Sequence, residues 1–298
     1  MARRPASRST ALLASLAVVL AGCVGETAAT TTTDTSPAPT TPPTTPVAST
    51  PTPTVSATTT TVAAETPSLE TADVRVPEGD GTFPAVVLVH GGGWVGGSPE
   101  YMTPLAEYLT DEGFLTVNSG YQLSLGTPGF PAAVEDISCA VAYAADHPRS
   151  TGDVTVIGHS AGAHIGSLVA LDADRYDDAC QPRDRGTPAR FVGLAGPYDV
   201  DRLGRLLVSF FGVERAADPE LWASGNPLLL AGGNPDLNAL LIHGGADGLV
   251  SLDFAQDFAN SLTGAGVGVL VEVVDGASHN DLTSPAVVGQ LIVEWLRG

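Results

Sequence analysis

The sequence predicts an α/β domain built on a mainly parallel sheet with helices on both faces. Two observations carry this reading. From about Leu69 to the C-terminus, short apolar runs alternate with segments of helical spacing, the order that builds strand–helix–strand units. The run PAVVLVH (84–90) is apolar almost without a break, as a strand covered on both faces must be.

What precedes that domain reads differently. Arg3, Arg4 and Arg8 lead into the apolar run Ala11 to Ala21, which has the layout of a secretory signal and is too short for an ordinary membrane-spanning helix. The run ends in Leu20-Ala21-Gly22-Cys23, which resembles the lipobox of bacterial lipoproteins. That resemblance implies a signal peptide over 1–22 and a lipid on Cys23. It also implies a protein exported and anchored on the outer face of the cell membrane. Residues 26–68 are a tract of Thr, Pro, Ala and Ser with almost nothing to bury, so ordering it has no compensation. Its prolines favour extended polyproline II, and ~40 residues at ~3.1 Å each could reach ~120 Å. The expected organisation is a lipidated stalk over 23–68 and a folded domain over 69–298.

The elements of that domain follow in order. PEYMTPLAEYLTDEG (99–113) has helical spacing through Met102, Leu105 and Leu109, with Gly113 to stop it. FLTVNSGY (114–121) is a strand, and FPAAVEDISCAVAYAADHP (130–148) a helix ended by Pro148. DVTVIGHS (153–160) is a strand running straight into the helix AGAHIGSLVALDA (161–173). Two further strands, ARFVGLAG (189–196) and LNALLIHGG (237–245), flank an insertion. A helix (251–266), the strand GVLVEVVDG (268–276) and a terminal helix near 286–296 complete the pattern.

Composition narrows function. Formal charge is −20, and every one of the 13 cationic side chains is arginine. Such a chain gains nothing from phosphate backbones, which excludes nucleic acid as an expected partner. The mature domain has two cysteines, Cys139 and Cys180. One pair in an exported domain reads as a disulfide, and neither has the spacing of a zinc motif.

The run HGGGWVGG (90–97) contains G-x-G-x-x-G after a strand, as a dinucleotide-binding turn would. A Walker loop would need a lysine, and there is none. A dinucleotide site needs an acid at the end of the second strand, whereas Asp111 and Glu112 stand before that strand. The same run opens His-Gly-Gly-Gly, which some hydrolases use to hold an oxyanion. That reading makes a demand elsewhere, and GHSAG (158–162) meets it as a G-x-S-x-G between a strand and a helix. A serine nucleophile needs a base, and the base an orienting carboxylate, in the chain order serine, acid, histidine. Asp247 follows the strand ending LLIHGG, and His279 follows the next.

With these residues in hand, the domain resembles the α/β-hydrolase superfamily. It is most similar to the His-Gly-Gly-Gly-Trp carboxylesterases, among them feruloyl-esterase-like and arylformamidase-like enzymes. HGGGW, GHSAGAH, GPYDV and HGGADGLV carry the likeness. It implies an α/β-hydrolase fold with a short cap insertion and a Ser160–Asp247–His279 triad. The oxyanion donors would be N–H groups of Gly92, Gly93 and Ala161, with the Trp94 N–H as an alternative donor. Gln122 departs from the arginine usual after the tyrosine in relatives, a change expected to touch local packing and not catalysis. No cofactor and no metal are implied.

Rival residues have plainer readings. His90 and His243 end strands, and His164 lies one helical turn beyond the serine, so all three read as structural. Asp199 in GPYDV is the stronger rival acid. Asp253 is expected inside a helix and Asp136 on a helix surface. The insertion 196–227 offers Leu206, Leu207, Phe210, Phe211 and Trp222, either as lining for an acyl or aromatic pocket or as local core. The residues 69–83 before the first long strand leave no room for a helical N-terminal cap. The expected activity is hydrolysis of a small-molecule carboxylic ester with a short or compact aromatic acyl group. An amidase or arylformamidase is the nearer alternative, and a non-catalytic surface-binding protein the more distant one.

Overall fold

The computed structural model describes residues 72–172, 175–176, 180 and 188–298, with the backbone of Thr58–Thr59. All lie in one compact unit, Thr54–Gly298. The expected signal peptide, Cys23 and nearly all of the expected stalk fall outside the described residues.

Eight strands form one sheet: β1 (Thr58–Thr59), β2 (Asp73–Val76), β3 (Phe83–Val89), β4 (Leu115–Ser119), β5 (Ser150–His159), β6 (Arg190–Leu194), β7 (Asn238–Gly244) and β8 (Gly268–Val274). Their order is β1-β2-β4-β3-β5-β6-β7-β8. From β4 to β8 every pairing is parallel, while β2 runs antiparallel to β4 and β1 antiparallel to β2. Thr58 and Thr59 belong to the tract read as stalk, yet they pair with Val76 and Arg75 at the sheet edge.

The two-residue period of β3 builds both faces. Ala85, Val87 and Val89 join one apolar cluster and Val86 and Leu88 the other. The first cluster packs under helices α2 (Ala132–Asp146) and α3 (Ala161–Leu171), whose inward faces are nearly fully buried. The second packs under α1 (Thr103–Asp111) and the terminal helix near Leu296. Between β6 and β7 the chain makes three short helices, α4 (Val200–Leu203), α5 (Val208–Phe211) and α6 (Pro219–Ser224). Helix α7 (Asp253–Gly264) precedes β8, and α8 (Pro285–Arg297) closes the chain. No helix among the described residues is long and apolar enough to cross a membrane.

Cys139 on α2 is bonded to Cys180, with Cα atoms 5.5 Å apart. Cys180 itself is not in a helix. It lies on the connection from α3 to β6, so the bond ties that connection to α2.

Candidate active site

Parallel pairing brings the ends of four strands to one edge. Val89 of β3 aligns with Gly158 of β5, and Gly244 of β7 with Val274 of β8. The loops that follow these strands carry every residue singled out above for the reaction.

Ser160 joins β5 to α3 with φ +53° and ψ −119°, a conformation that costs a non-glycine residue about 1–3 kcal/mol and recurs at functional sites. The turn is tight on both sides. A Cβ on Gly158 would collide with the Gly162 carbonyl, and one on Gly162 with those of Val89 and His90. The Ser160 N–H donates to Leu194 O at 2.8 Å, pinning the turn to the neighbouring strand.

Asp247 and His279 meet as their places in the chain required. His279 Nδ1 lies 2.7 Å from Asp247 Oδ2, and the Asp247 side chain is 1% exposed. The other carboxylate oxygen accepts the N–H groups of Leu249 at 2.8 Å and Val250 at 2.9 Å. Burial alone would raise the Asp247 pKa. The hydrogen bonds from Val250, His279 and Leu249 outweigh it, and the net direction is down. Asp247 is thus an anion held in place by three donors.

A cavity of about 560 Å³ opens on this edge. Gly92, Gly93, Ser160 and His279 line its floor, and Tyr101, Leu249, Val250 and Thr283 its mouth. Ala161 follows Ser160 as the first residue of α3, where a helix leaves N–H groups without intrahelical partners. Gly92, Gly93 and Trp94 all have positive φ, and of the three only the two glycines line the cavity. Trp94 instead anchors the loop from behind. Its indole N–H donates to His164 Nδ1 at 3.2 Å, and the ring meets His164 edge-on. His164 passes its own Nε2–H to Gly225 O at 2.9 Å. Burial drives the His164 pKa down to about 4, so it stays neutral.

The rival residues have other work. Asp199 caps α4, accepting from Asp201 N–H, and faces Arg202 at 3.4 Å. Asp253 lies in α7, as its first residue. Asp136 accepts the Gln122 N–H at 2.8 Å, and the Gln122 amide donates to Pro128 O, so Gln122 supports a local turn. His90 stacks on Tyr121. His243 donates to Val250 O at 2.9 Å, with Asp247 Oδ2 at 3.5 Å.

The family follows from the span of the match. The family model BD-FAE matches residues 72–262, well over half of the chain. The chain belongs to the BD-FAE family. Among its relatives, "Carboxylic ester hydrolase LipN" of Mycobacterium tuberculosis is 29% identical over 230 residues, covering 69% of this chain and 59% of that protein. The chain spans between 28% and 59% of the length of the curated relatives it matches. Two solved structures share the fold. A truncated carbohydrate esterase from gut microbiota superposes with a TM-score of 0.67 at 17% identity, over 81% of this chain and 95% of that one. Esterase B from Lactobacillus rhamnosis superposes with a TM-score of 0.68 at 18% identity, over 81% and 85%. The architecture is the α/β-hydrolase fold.

In this BD-FAE domain the insertion takes the second of its two readings, local core. The insertion does not wall the cavity: Leu207, Phe210, Phe211 and Trp222 are buried in the main core, and Leu206 is 73% exposed. Phe210 packs against Trp94, His164 and Phe130, so the insertion buttresses the HGGGW loop from the far side. The cavity mouth comes from Tyr101, Leu249 and Thr283: Leu249 lies in HGGADGLV, but nothing in that run, or in the turns of the other two, marks a residue as facing the cavity.

Proposed function

We propose that this chain is a carboxylic ester hydrolase that works through an acyl-enzyme on Ser160. The observation that carries the reading is the 2.7 Å contact between His279 Nδ1 and Asp247 Oδ2, beside the cavity that Ser160 lines. Asp247 holds the proton on Nδ1, which leaves the Nε2 lone pair of His279 free to take the Ser160 hydroxyl proton. The serine oxygen adds to the ester carbonyl, and the new oxyanion rests against N–H groups of Gly92, Gly93 and Ala161. Each such donor is worth about 3–4 kcal/mol. His279 returns the proton to the departing alkoxide, and a water activated the same way releases the acid.

The cavity's volume and the exposure of its rim residues Tyr101 and Leu249 favour a short or compact aromatic acyl group. Turnover on a panel of p-nitrophenyl esters and formamides, with Ser160→Ala as control, tests this reading. Ester cleavage abolished by the substitution supports it. Preference for formamides would move the activity to an amidase, and no Ser160-dependent turnover would leave a binding protein.

We also infer that the domain works outside the cell, tethered by a lipid on Cys23. The support is the Arg-rich start, the short apolar run and Leu-Ala-Gly-Cys, together with the Cys139–Cys180 bond, which suits an oxidising compartment. Metabolic labelling with a fatty acid should mark the protein, and Cys23→Ser should abolish the mark.

A further inference from the structure

His159, the residue before the serine, is not needed for the chemistry just proposed. It is nonetheless buried, and it touches all three parts of the site. Its Nε2 lies 3.0 Å from His279 O. A carbonyl only accepts, so Nε2 carries the hydrogen. The two imidazole rings stand 4.8 Å apart, centroid to centroid, inclined at 52°. On the opposite side, a Cβ placed on Gly91 would come within 2.7 Å of His159 Nδ1. Only glycine lets the oxyanion loop lie this close to the ring. His159 is thus wedged between the HGGG loop and the loop of the base, while its own backbone leads into the nucleophile turn.

We propose that His159 is a positioning residue: its Nε2–H fixes the His279 backbone, so the base keeps its reach to Ser160 and its bond to Asp247. This rests on the triad reading above. His279 sits on the loop after β8, with only a short 3₁₀ turn (Asn280–Thr283) behind it. Asp247 holds one end of its ring, the Ala246 N–H holds Ala277 O at 2.9 Å and Asp281 holds the Ser278 N–H at 2.7 Å, so the bond from His159 is the one made to the carbonyl of the base itself. The donor must be neutral to serve, since a charged imidazole would repel the imidazolium formed in each turnover. Burial first, and repulsion from His279 second, hold the His159 pKa down to about 4. The ring is therefore neutral through the range in which a histidine base works.

The role separates from simple packing by which substitution restores it. Leucine fills similar space without a donor, whereas glutamine carries an amide N–H that can reach the same carbonyl. His159→Leu should lower kcat by roughly 10- to 100-fold with KM nearly unchanged, as expected when a reacting group is misplaced by a fraction of an ångström. His159→Gln should recover most of that loss. The downfield proton resonance of the His279–Asp247 hydrogen bond should shift or broaden in His159→Leu and return in His159→Gln. Equal loss in both variants with an unmoved resonance would overturn the proposal, as would wild-type kcat in His159→Leu. If the leucine variant does not fold, wild-type-like kcat and resonance in His159→Gln support the role, and a depressed kcat with the resonance in place overturns it. His279→Ala is the separate control: full activity there would sink the triad reading itself, whatever the His159 variants do.

Discussion

The floor of the cavity and the insertion between β6 and β7 are built on opposite logic. At the floor, polar groups are spent on direction. Asp247 receives three hydrogen bonds, Ser160 is held at positive φ, and Gly158 and Gly162 are required by carbonyls a side chain would strike. In the insertion, large apolar side chains are spent on volume, with Phe210, Phe211 and Trp222 stacked into the core. The floor should therefore lose activity without losing the fold, and the insertion the reverse.

The sharpest break should come at the floor. Ser160→Ala and His279→Ala should each cut kcat by at least about 10⁴-fold, with unchanged circular dichroism, because both remove reacting atoms of one unit. Asp247→Asn should lose about 10²- to 10⁴-fold, since an amide favours the wrong imidazole tautomer. Asp199→Asn should keep near-normal kcat and cost at most about 1 kcal/mol through its helix cap. The reverse result for the two aspartates would move the acid to the loop after β6.

In the insertion the loss should fall on stability. Phe210→Ala removes a ring packed on Trp94, His164 and Phe130 and should cost about 3–5 kcal/mol in urea unfolding. Leu206→Ala, at an exposed position four residues earlier, should stay within about 0.5 kcal/mol. A small change at Phe210 would mean that the insertion is not the buttress its contacts indicate.

The same contrast explains what the sequence could convey. The meeting of Asp247 and His279 on the edge that Ser160 occupies was legible because residues that follow parallel strands come to one edge of the sheet. Asp199, a reasonable rival, is set apart by its partners: it caps α4 and faces Arg202 and Asn226, whereas Asp247 meets His279. Aromatic residues in the insertion carry no such mark. Phe210 in a pocket wall and Phe210 in a core look alike along the chain, and here the core claims it. Cys180 shows a similar limit: the pairing was readable, but not that its bond lands on a connection. Tyr101 and Leu249 reach the cavity mouth only through the path of two turns, which no local pattern encodes.

Acid should expose the link between the two regions. Burial pushes the imidazoles of His159, which lines the floor, and His164, behind it, down to about 4 in the fold, against an ordinary 6.5. Across that window the unfolded chain binds protons that the folded chain refuses. Stability is therefore full above about pH 6.5 and falls as pH drops toward 4, by about 1.4 kcal/mol per pH unit for each imidazole. Urea midpoints between pH 7 and 4 measure this. His164→Gln should lower the midpoint at pH 7 yet flatten the acid limb, and a limb of unchanged slope would remove His164 from the account.

The smallest effects belong to the cavity mouth. Tyr101 is 60% and Leu249 76% exposed, and a wall this open can bury little of a substrate. Each methylene gains about 0.8 kcal/mol only while apolar surface covers it. With the insertion's aromatic residues withdrawn into the core, nothing in the described cavity extends that cover into a long channel. Values of kcat/KM on p-nitrophenyl esters should therefore peak at about two to four acyl carbons and fall by about eight to ten. Leu249→Ala should change the ratio of butyryl to acetyl turnover by no more than roughly fivefold, the worth of about one methylene. A profile still rising at a dodecanoyl ester would require an apolar surface that the floor and its rim do not provide. The insertion would then have to unpack from Trp94 to supply it, and Phe210→Ala would raise long-chain turnover instead of only lowering stability.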